Sequence, residues 1–569
     1  MDKRYLFFLS LLLSLKSIAL VFAILNGGIG LGPDEAQYWT WSQSLDWGYY
    51  SKPPGIAWEI ALGTSLFGNK ELGVRFMPLV IGSFLPFLVY CMARRCLLSP
   101  AASFWTAVCM AFCPIGILAS FLAITDGGMV LFWTASCAYL AGKIEQKERP
   151  NYFLVGFFIC LGALFKWPIY SLWIFILGCW IFLPYFRAWN ILWGLVLSLL
   201  ALLPTVYWNA THEWATFRHV LATLAGGHAQ LKPGGGLPGN PLEFLGAQVV
   251  LVSPILFLLL VMAWKRLIKR EGYPPASVLF CGVVSLVPVA VGFLMAFFMK
   301  VQGNWAIFAY PSAFVVLSWF AVDGTAWKMK WLNLETAVQD NKVMQDFESE
   351  SFPMGADHSQ KVKAAPIGSD YGSIDSVNLL SSTAVFRLKG GVALSVVVCA
   401  AVFCLPYIQS HHLASGFPIP YKVNPFRHNV GWEELGPALK QAGYDPDKDF
   451  LFGDKYQTAS ILSFYGPEQK RAYFFNLQGS RKNQFSYWPG MEQEQKGERG
   501  FFTVIENIPQ LDNPELPQKY LDALASYFKS VRFIGTKPLF QAYGKTVKGV
   551  LLFECEGYNG LAPKETDLY

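Results

Sequence analysis

The chain alternates long apolar runs with short charged loops, and this pattern restricts it to a bundle of helices in a bilayer. A span of hydrocarbon needs roughly 17–25 mostly apolar residues. Such runs occur near residues 5–25, 72–92, 102–122, 127–142, 152–166, 168–186, 189–209, 243–264, 276–298, 303–321 and 391–409. The expectation is an α-helical polytopic membrane protein with about eleven transmembrane helices. Composition agrees, since 53% hydrophobic and 15% charged residues in 569 are too apolar for an ordinary soluble protein. The first run starts Met1-Asp2-Lys3-Arg4 and has no small-x-small cleavage site, so it reads as an uncleaved span. The pair 152–166 and 168–186 is interrupted at Lys166-Trp167-Pro168, where proline breaks a helix.

The net charge of +6 does not point to nucleic acid, because its lysines and arginines collect in loops between apolar runs. Arg94–Arg95, Lys143 to Arg149, Arg187, Lys265 to Arg270 and Lys328–Lys330 fall in alternate loops, which are therefore expected in the cytoplasm. Residues 26–71, 210–242 and everything from about 410 onward are then extracytoplasmic, and the location is a cell (inner) membrane. Of 11 cysteines, all but Cys555 lie in or beside apolar segments, with no metal-ligand spacing. Residues 322–390 are polar and rich in Ser, Asp, Gln and Gly, a cytoplasmic and largely disordered insertion by composition. Residues 391–409 form the last transmembrane helix. Residues 425–569 mix strand-like runs (450–453, 471–475, 500–505, 530–534 and 549–554) with helical stretches at 431–442 and 514–528. They are expected to form an extracytoplasmic α/β domain.

Chemistry concentrates in the first outer loop. Pro33-Asp34-Glu35 opens a short helix, where a carboxylate either caps the free N–H groups or serves a site. Tyr49-Tyr50-Ser51-Lys52-Pro53-Pro54 sets a cation before a rigid turn; it either snorkels toward headgroups or holds a phosphate. Asp126, in Thr125-Asp126-Gly127-Gly128, is either a helix cap or a second carboxylate facing Asp34. Lys166 follows an apolar run at a helix break, so a buried partner is expected. Lys300, Gln302, Asn304 and Trp305 crowd the outer mouth before the tenth span. The outer loop holds His212, Glu213, Arg218, His219 and His228, a weak metal signal, then a Gly- and Pro-rich run suited to a lid.

The loop with Asp34, Glu35 and Lys52-Pro53-Pro54, the Thr125-Asp126 site, Pro204-x-x-x-Trp208-Asn209 and Asn304-Trp305 together resemble integral-membrane glycosyltransferases of the GT-C fold. The similar groups are glycosyltransferase family 39, which includes protein mannosyltransferases, and the lipid A aminoarabinose transferases. The resemblance covers residues 1–320 and makes 1–321 the transmembrane catalytic domain. Stretches at 454–460 and 481–485 look like parts of bacterial relatives.

The resemblance implies transfer of a hexose, pentose or amino sugar from a polyprenyl-phosphate donor to a glycolipid or cell-envelope glycan, by a single inverting displacement. Asp34 would be the catalytic carboxylate, with Asp126 and Glu35 beside it, although Gly127-Gly128 departs from the usual continuation after the second acidic position. Lys52 would bind the donor phosphate, aided by Lys166 and Arg218, with Tyr49, Tyr50, Asn304 and Trp305 around the substrate. No cofactor is required by these residues; a divalent cation held by Asp34 and Asp126 is compatible with them. Competing readings are a protein O-mannosyltransferase of the same fold and a lipid-linked sugar transporter or flippase, although no inverted repeat is apparent.

Overall fold

The computed structural model describes residues 2–224, 239–272, 274–323, 372–413, 416–564 and 566–569, and the side chains of these except 224 and 372–382. Residues 233–238 of the Gly- and Pro-rich lid segment and His228 fall outside the described residues, as does 324–371 of the expected insertion. Each of the apolar runs is helical. Six helices among the described residues are long and apolar enough to cross a membrane alone, or up to eight if two bent pairs each count as one span. The difference from eleven has local causes. The pair around Lys166 forms short helices, Tyr152–Ala163 and Leu172–Phe182, on either side of the expected break. Asp126–Gln146 is diluted by Trp133, Thr134, Ser136 and Tyr139.

Two runs expected as straight spans are bent. Pro100–Phe112 and Pro114–Phe121 meet at 57°, because Pro114 pushes Cys113 into extended backbone. Pro241–Val252 and Pro254–Ile268 meet at 104°, with Ser253 at φ 87° ahead of Pro254. The insertion is also shorter than its composition suggests: the last long helix runs Gly372–Ser410, so 372–390 is helical.

Contacts sort the chain into two ends. Arg94 pairs with Asp2 (3.6 Å), the Ser99 hydroxyl donates to Asp323 (2.6 Å), and the Ser277 hydroxyl donates to Glu145 (2.8 Å), which gathers the basic loops at one end. The opposite end carries the sheet domain. Its five strands run β1 Asp449–Gly453, β2 Tyr473–Phe474, β3 Arg499–Asn507, β4 Phe528–Ala542 and β5 Lys545–Tyr558, in the order β2-β1-β3-β5-β4. Pairing is parallel through β2-β1-β3 and antiparallel through β3-β5-β4. The interior strand β1 is buried along its whole length, as its Phe-Leu-Phe run requires.

The loop after the first apolar run seats this domain on the bundle. With α1 Asp2–Asn26 behind it, the loop folds into α2 Pro33–Ser42 and α3 Gly55–Phe67 before α4 Glu71–Arg95. The Leu31 N–H donates to the Tyr465 hydroxyl (2.7 Å), and the Trp432 indole N–H donates to the Leu31 carbonyl (2.9 Å).

Beneath these contacts lies a fully buried ion pair. Arg75 on α4 donates from Nε and Nη2 to the two Glu35 oxygens (2.9 and 2.7 Å), and its remaining N–H groups reach the carbonyls of Ile29 and Gly30 (both 2.8 Å). The guanidinium also lies 4.2 Å over the Phe121 ring. Glu35 in turn accepts from the backbone N–H of Gly32 (2.9 Å) and of Ala123 (3.0 Å). One carboxylate thus ties the start of α2, the start of α4 and the loop leading to Asp126 together.

Removing either partner strands a buried charge. Glu35→Ala and Arg75→Ala are each expected to destabilise by about 3–5 kcal/mol. The double variant should lose much less than the sum, which a double-mutant cycle of thermal unfolding in detergent reads out.

Candidate active site

The site forms where α2, the turn after it, the Lys166 break and the sheet domain converge. The Tyr49 N–H donates to the Lys52 carbonyl (3.1 Å), closing a tight turn, and the Tyr49 ring stacks on Trp41 at 4.7 Å. The Tyr49 carbonyl accepts from the Thr216 hydroxyl (3.0 Å), which Asn209 holds through its own side-chain amide (2.9 Å). The Trp208-Asn209 motif therefore supports the turn that presents Lys52. Two glycines set the approach of the other side. The Gly55 N–H donates to the Leu164 carbonyl (2.8 Å), and a Cβ there would come within 2.7 Å of that oxygen. A Cβ on Gly128 would stand 2.6 Å from the Phe165 ring, so glycine lets Phe165 seat and brings Lys166 to Asp126.

Lys166 Nζ lies 2.8 Å from Asp126 Oδ1, and Asn304 Nδ2 donates to the other oxygen at 3.2 Å. Both partners of the ion pair are largely buried, so the expected partner for Lys166 is present. Lys52 feels Lys166, Asp126, Asp34 and Arg481 at once. Burial, then the nearby Lys166, pushes its ammonium down to about 8, against the pull of Asp126 and Asp34. Asp34 is open to solvent at its tip, yet the recess around it is crowded enough that desolvation raises its carboxyl above the ordinary range. Lys52 opposes that shift, and Glu35 adds to it. Tyr38 and Tyr456 are held protonated by burial beside Asp34.

Lys52 and Lys166 stand at the polar end of a cavity of about 670 Å³. Its body is apolar, walled by side chains such as Ile174, Phe175, Val291, Met295 and Phe308, and Trp305 and His219 complete the lining. Arg481 of the sheet domain reaches this end, with Nη1 3.0 Å from His219 Nδ1. Tyr50 joins it, its ring 5.0 Å from that of His219 and its N–H donating to Gln484 Oε1 (2.7 Å).

The structure therefore gathers Asp34, Lys52, Asp126, Lys166, Tyr50, Asn304 and Trp305 around one recess. Three residues expected there are placed elsewhere. Glu35 has both oxygens committed to Arg75 and to backbone N–H groups, so it is a positioning residue and no proton acceptor. Tyr49 is fully buried, with its hydroxyl donating to the Trp41 carbonyl (3.0 Å). Arg218 turns outward to the Tyr569 hydroxyl (2.9 Å), and its neighbour His219 faces the cavity instead. Residues the sequence did not assign to the site are Arg481, His219, Tyr38 and Tyr456. Arg481 and Tyr456 lie in the two stretches of the sheet domain that look like parts of bacterial relatives, but only the fold shows that they face the recess.

Among the described residues no three His, Cys, Asp or Glu side chains converge as metal ligands, and Asp126 is already matched to Lys166 and Asn304.

Residues 51–208 match the model of the dolichyl-phosphate-mannose-protein mannosyltransferase family. The chain is 28% identical over 295 residues to the lipid A galacturonosyltransferase RgtD of Rhizobium johnstonii, a stretch covering 50% of this chain and 59% of that protein. It is also 28% identical over 175 residues to the undecaprenyl phosphate-alpha-4-amino-4-deoxy-L-arabinose arabinosyl transferase of Pseudomonas aeruginosa, covering 28% and 31% of the two chains. Both matches thus span less than two thirds of the relative. The similarity of fold is more extensive. ArnT from Cupriavidus metallidurans in its complex with undecaprenyl phosphate superposes with a TM-score of 0.55 at 14% identity, over 95% of this chain and 97% of that one. The apo form gives 0.54 over 98% and 99%. The chain has the GT-C fold seen in ArnT, and residues 51–208 carry the sequence pattern of the dolichyl-phosphate-mannose-protein mannosyltransferase family.

Proposed function

We propose that this protein is a membrane glycosyltransferase that moves a sugar from a polyprenyl-phosphate carrier to a glycolipid or envelope glycan on the extracytoplasmic face of the inner membrane. The observation that carries the reading is the cavity: an apolar body suited to an isoprenoid, ending at Lys52 and Lys166, with Asp34 across the recess. The names of the similar proteins, a lipid A galacturonosyltransferase and an undecaprenyl-phosphate-dependent arabinosyl transferase, support the same donor and acceptor classes. So does the complex of ArnT with undecaprenyl phosphate.

The chemistry divides between the two sides of the recess. Asp34 takes the proton of the acceptor hydroxyl as its oxygen attacks the anomeric carbon. A carboxyl raised by burial is a stronger base for this purpose. The bond from the anomeric carbon to the phosphate oxygen breaks on the opposite face, which inverts the configuration. Its electron pair stays on the departing polyprenyl phosphate, where Lys52 and Lys166 meet the new negative charge. Asp126 and Asn304 hold Lys166 in position for this. The two lysines take the place that a divalent ion would otherwise fill.

Two outcomes test the division of labour. Asp34→Asn should lower kcat by about 10²–10⁴-fold. Lys52→Met should cost about 10²–10³-fold, through weaker phosphate stabilisation. Both are read with purified enzyme and labelled donor, and the wild-type rate should be the same after exhaustive chelation. Asp34→Asn at the wild-type rate would remove the assigned base.

The pH profile gives an independent check. Lys52 must be protonated to hold the phosphate, so the donor kcat/KM should fall as pH rises through about 8. Asp34 must be ionised, so kcat/KM should also fall at acid pH, beginning above the range of an ordinary aspartate. Lys52→Arg, which keeps its charge, should move the alkaline limb up by more than one unit whatever its absolute rate.

A further inference from the structure

A second pocket, of about 100 Å³, opens on the outer-domain side of α2, and its lining begins with Pro33, the residue next to Asp34. A volume of that order holds about three waters. That is room for a small tetrahedral or planar oxyanion.

Its walls are built for such a group. Lys548 of β5 is 2% exposed, donates to the Val430 carbonyl (2.9 Å) and stands 3.2 Å above the Trp432 ring, and among the described residues no carboxylate pairs with it. Burial holds its ammonium below the ordinary value, a shift that an anion beside it would oppose. His428 lies at the open rim, where burial and the charges of Arg427 and Lys548 lower its pKa. Lys455, which also lines the pocket, is matched to Glu506 at 2.6 Å.

The floor is the first turn of helix Tyr456–Tyr465, which has no side-chain cap and supplies Gln457 and Thr458 to the pocket. Thr458 is 5% exposed, and its methyl group lies against Gly453. A helix N-terminus, a buried lysine and a buried threonine therefore face one small space. Between Lys455 and Gln457, both of which line the pocket, Tyr456 is buried where it feels the charge of Asp34.

We propose that this pocket is an acceptor subsite that binds an oxyanion, a phosphate or a carboxylate, carried by the glycolipid or glycan whose hydroxyl is presented to Asp34. The inference rests on the transferase reading above. It places the donor on the membrane side of α2 and the charged part of the acceptor on the other.

The test uses the purified full-length protein, with acceptor before and after phosphatase treatment, and before and after methyl esterification. Lys548→Met should raise the KM for untreated acceptor at least tenfold and Thr458→Val severalfold, with kcat within twofold of wild type. The treatment that removes the recognised anion should bring wild-type and variant KM values together, and which treatment does so identifies phosphate or carboxylate. An unchanged KM in folded variants, or an equal rise on treated and untreated acceptor, would overturn the proposal. Calorimetric binding of inorganic phosphate to Lys52→Met protein, in which the donor site is weakened, separates the two readings. If transfer proves not to be the activity, phosphate binding lost on adding Lys548→Met still supports the pocket; binding that survives this change counts against it.

Discussion

The Glu35–Arg75 pair is the constraint on which the site depends. A buried arginine is costly unless every donor is used, and here two go to one carboxylate and others to the carbonyls of Ile29 and Gly30. That geometry fixes the start of α2 against α4. Because Glu35 also holds the Ala123 N–H, it places the segment leading to Asp126 at the same time. Asp34 and Asp126, on elements 92 residues apart in sequence, are therefore positioned by one side chain that performs no chemistry itself.

Around this frame the charges are arranged by sign and by depth. Asp126 holds Lys166 through one oxygen and Asn304 through the other at the edge of the recess, where an isolated charge would be expensive. Lys52 is crowded by Lys166, which leaves a cationic end to an apolar cavity, a combination that suits a phosphate on a hydrocarbon chain. Asp34 sits higher and reaches solvent, where an incoming acceptor can meet it. The sheet domain contributes Arg481 and Tyr456, so the recess is walled by both halves of the chain.

Much of this was legible in the residues alone. Apolar run length located the helices, and alternation of short apolar segments with turns located all five strands. Asp34, Lys52, Asp126 and Lys166 stood out because charged groups beside hydrocarbon need partners. What the sequence could not resolve was direction. Glu35 and Asp34 are adjacent, and one residue of helix rotation sends the first into the bundle and the second toward solvent. Arg218 and His219 exchange roles for the same reason. Tyr49 and Tyr50 divide likewise, one packing on Trp41 and the other facing His219. Bends at Pro114 and Pro254 escaped because each lies inside a run whose hydropathy is continuous. Arg481 escaped because its contact with His219 joins positions 262 residues apart.

The central claim is that Lys52 and Lys166 receive the phosphate of a polyprenyl carrier whose chain occupies the adjoining cavity. The most direct measurement is an experimental structure of the protein in nanodiscs with a polyprenyl phosphate bound. The account predicts phosphate density within hydrogen-bond reach of both lysine ammonium groups, with the first isoprene units between Phe175 and Met295. Phosphate bound elsewhere, with Lys52 and Lys166 unengaged and the cavity filled by other groups, would contradict it.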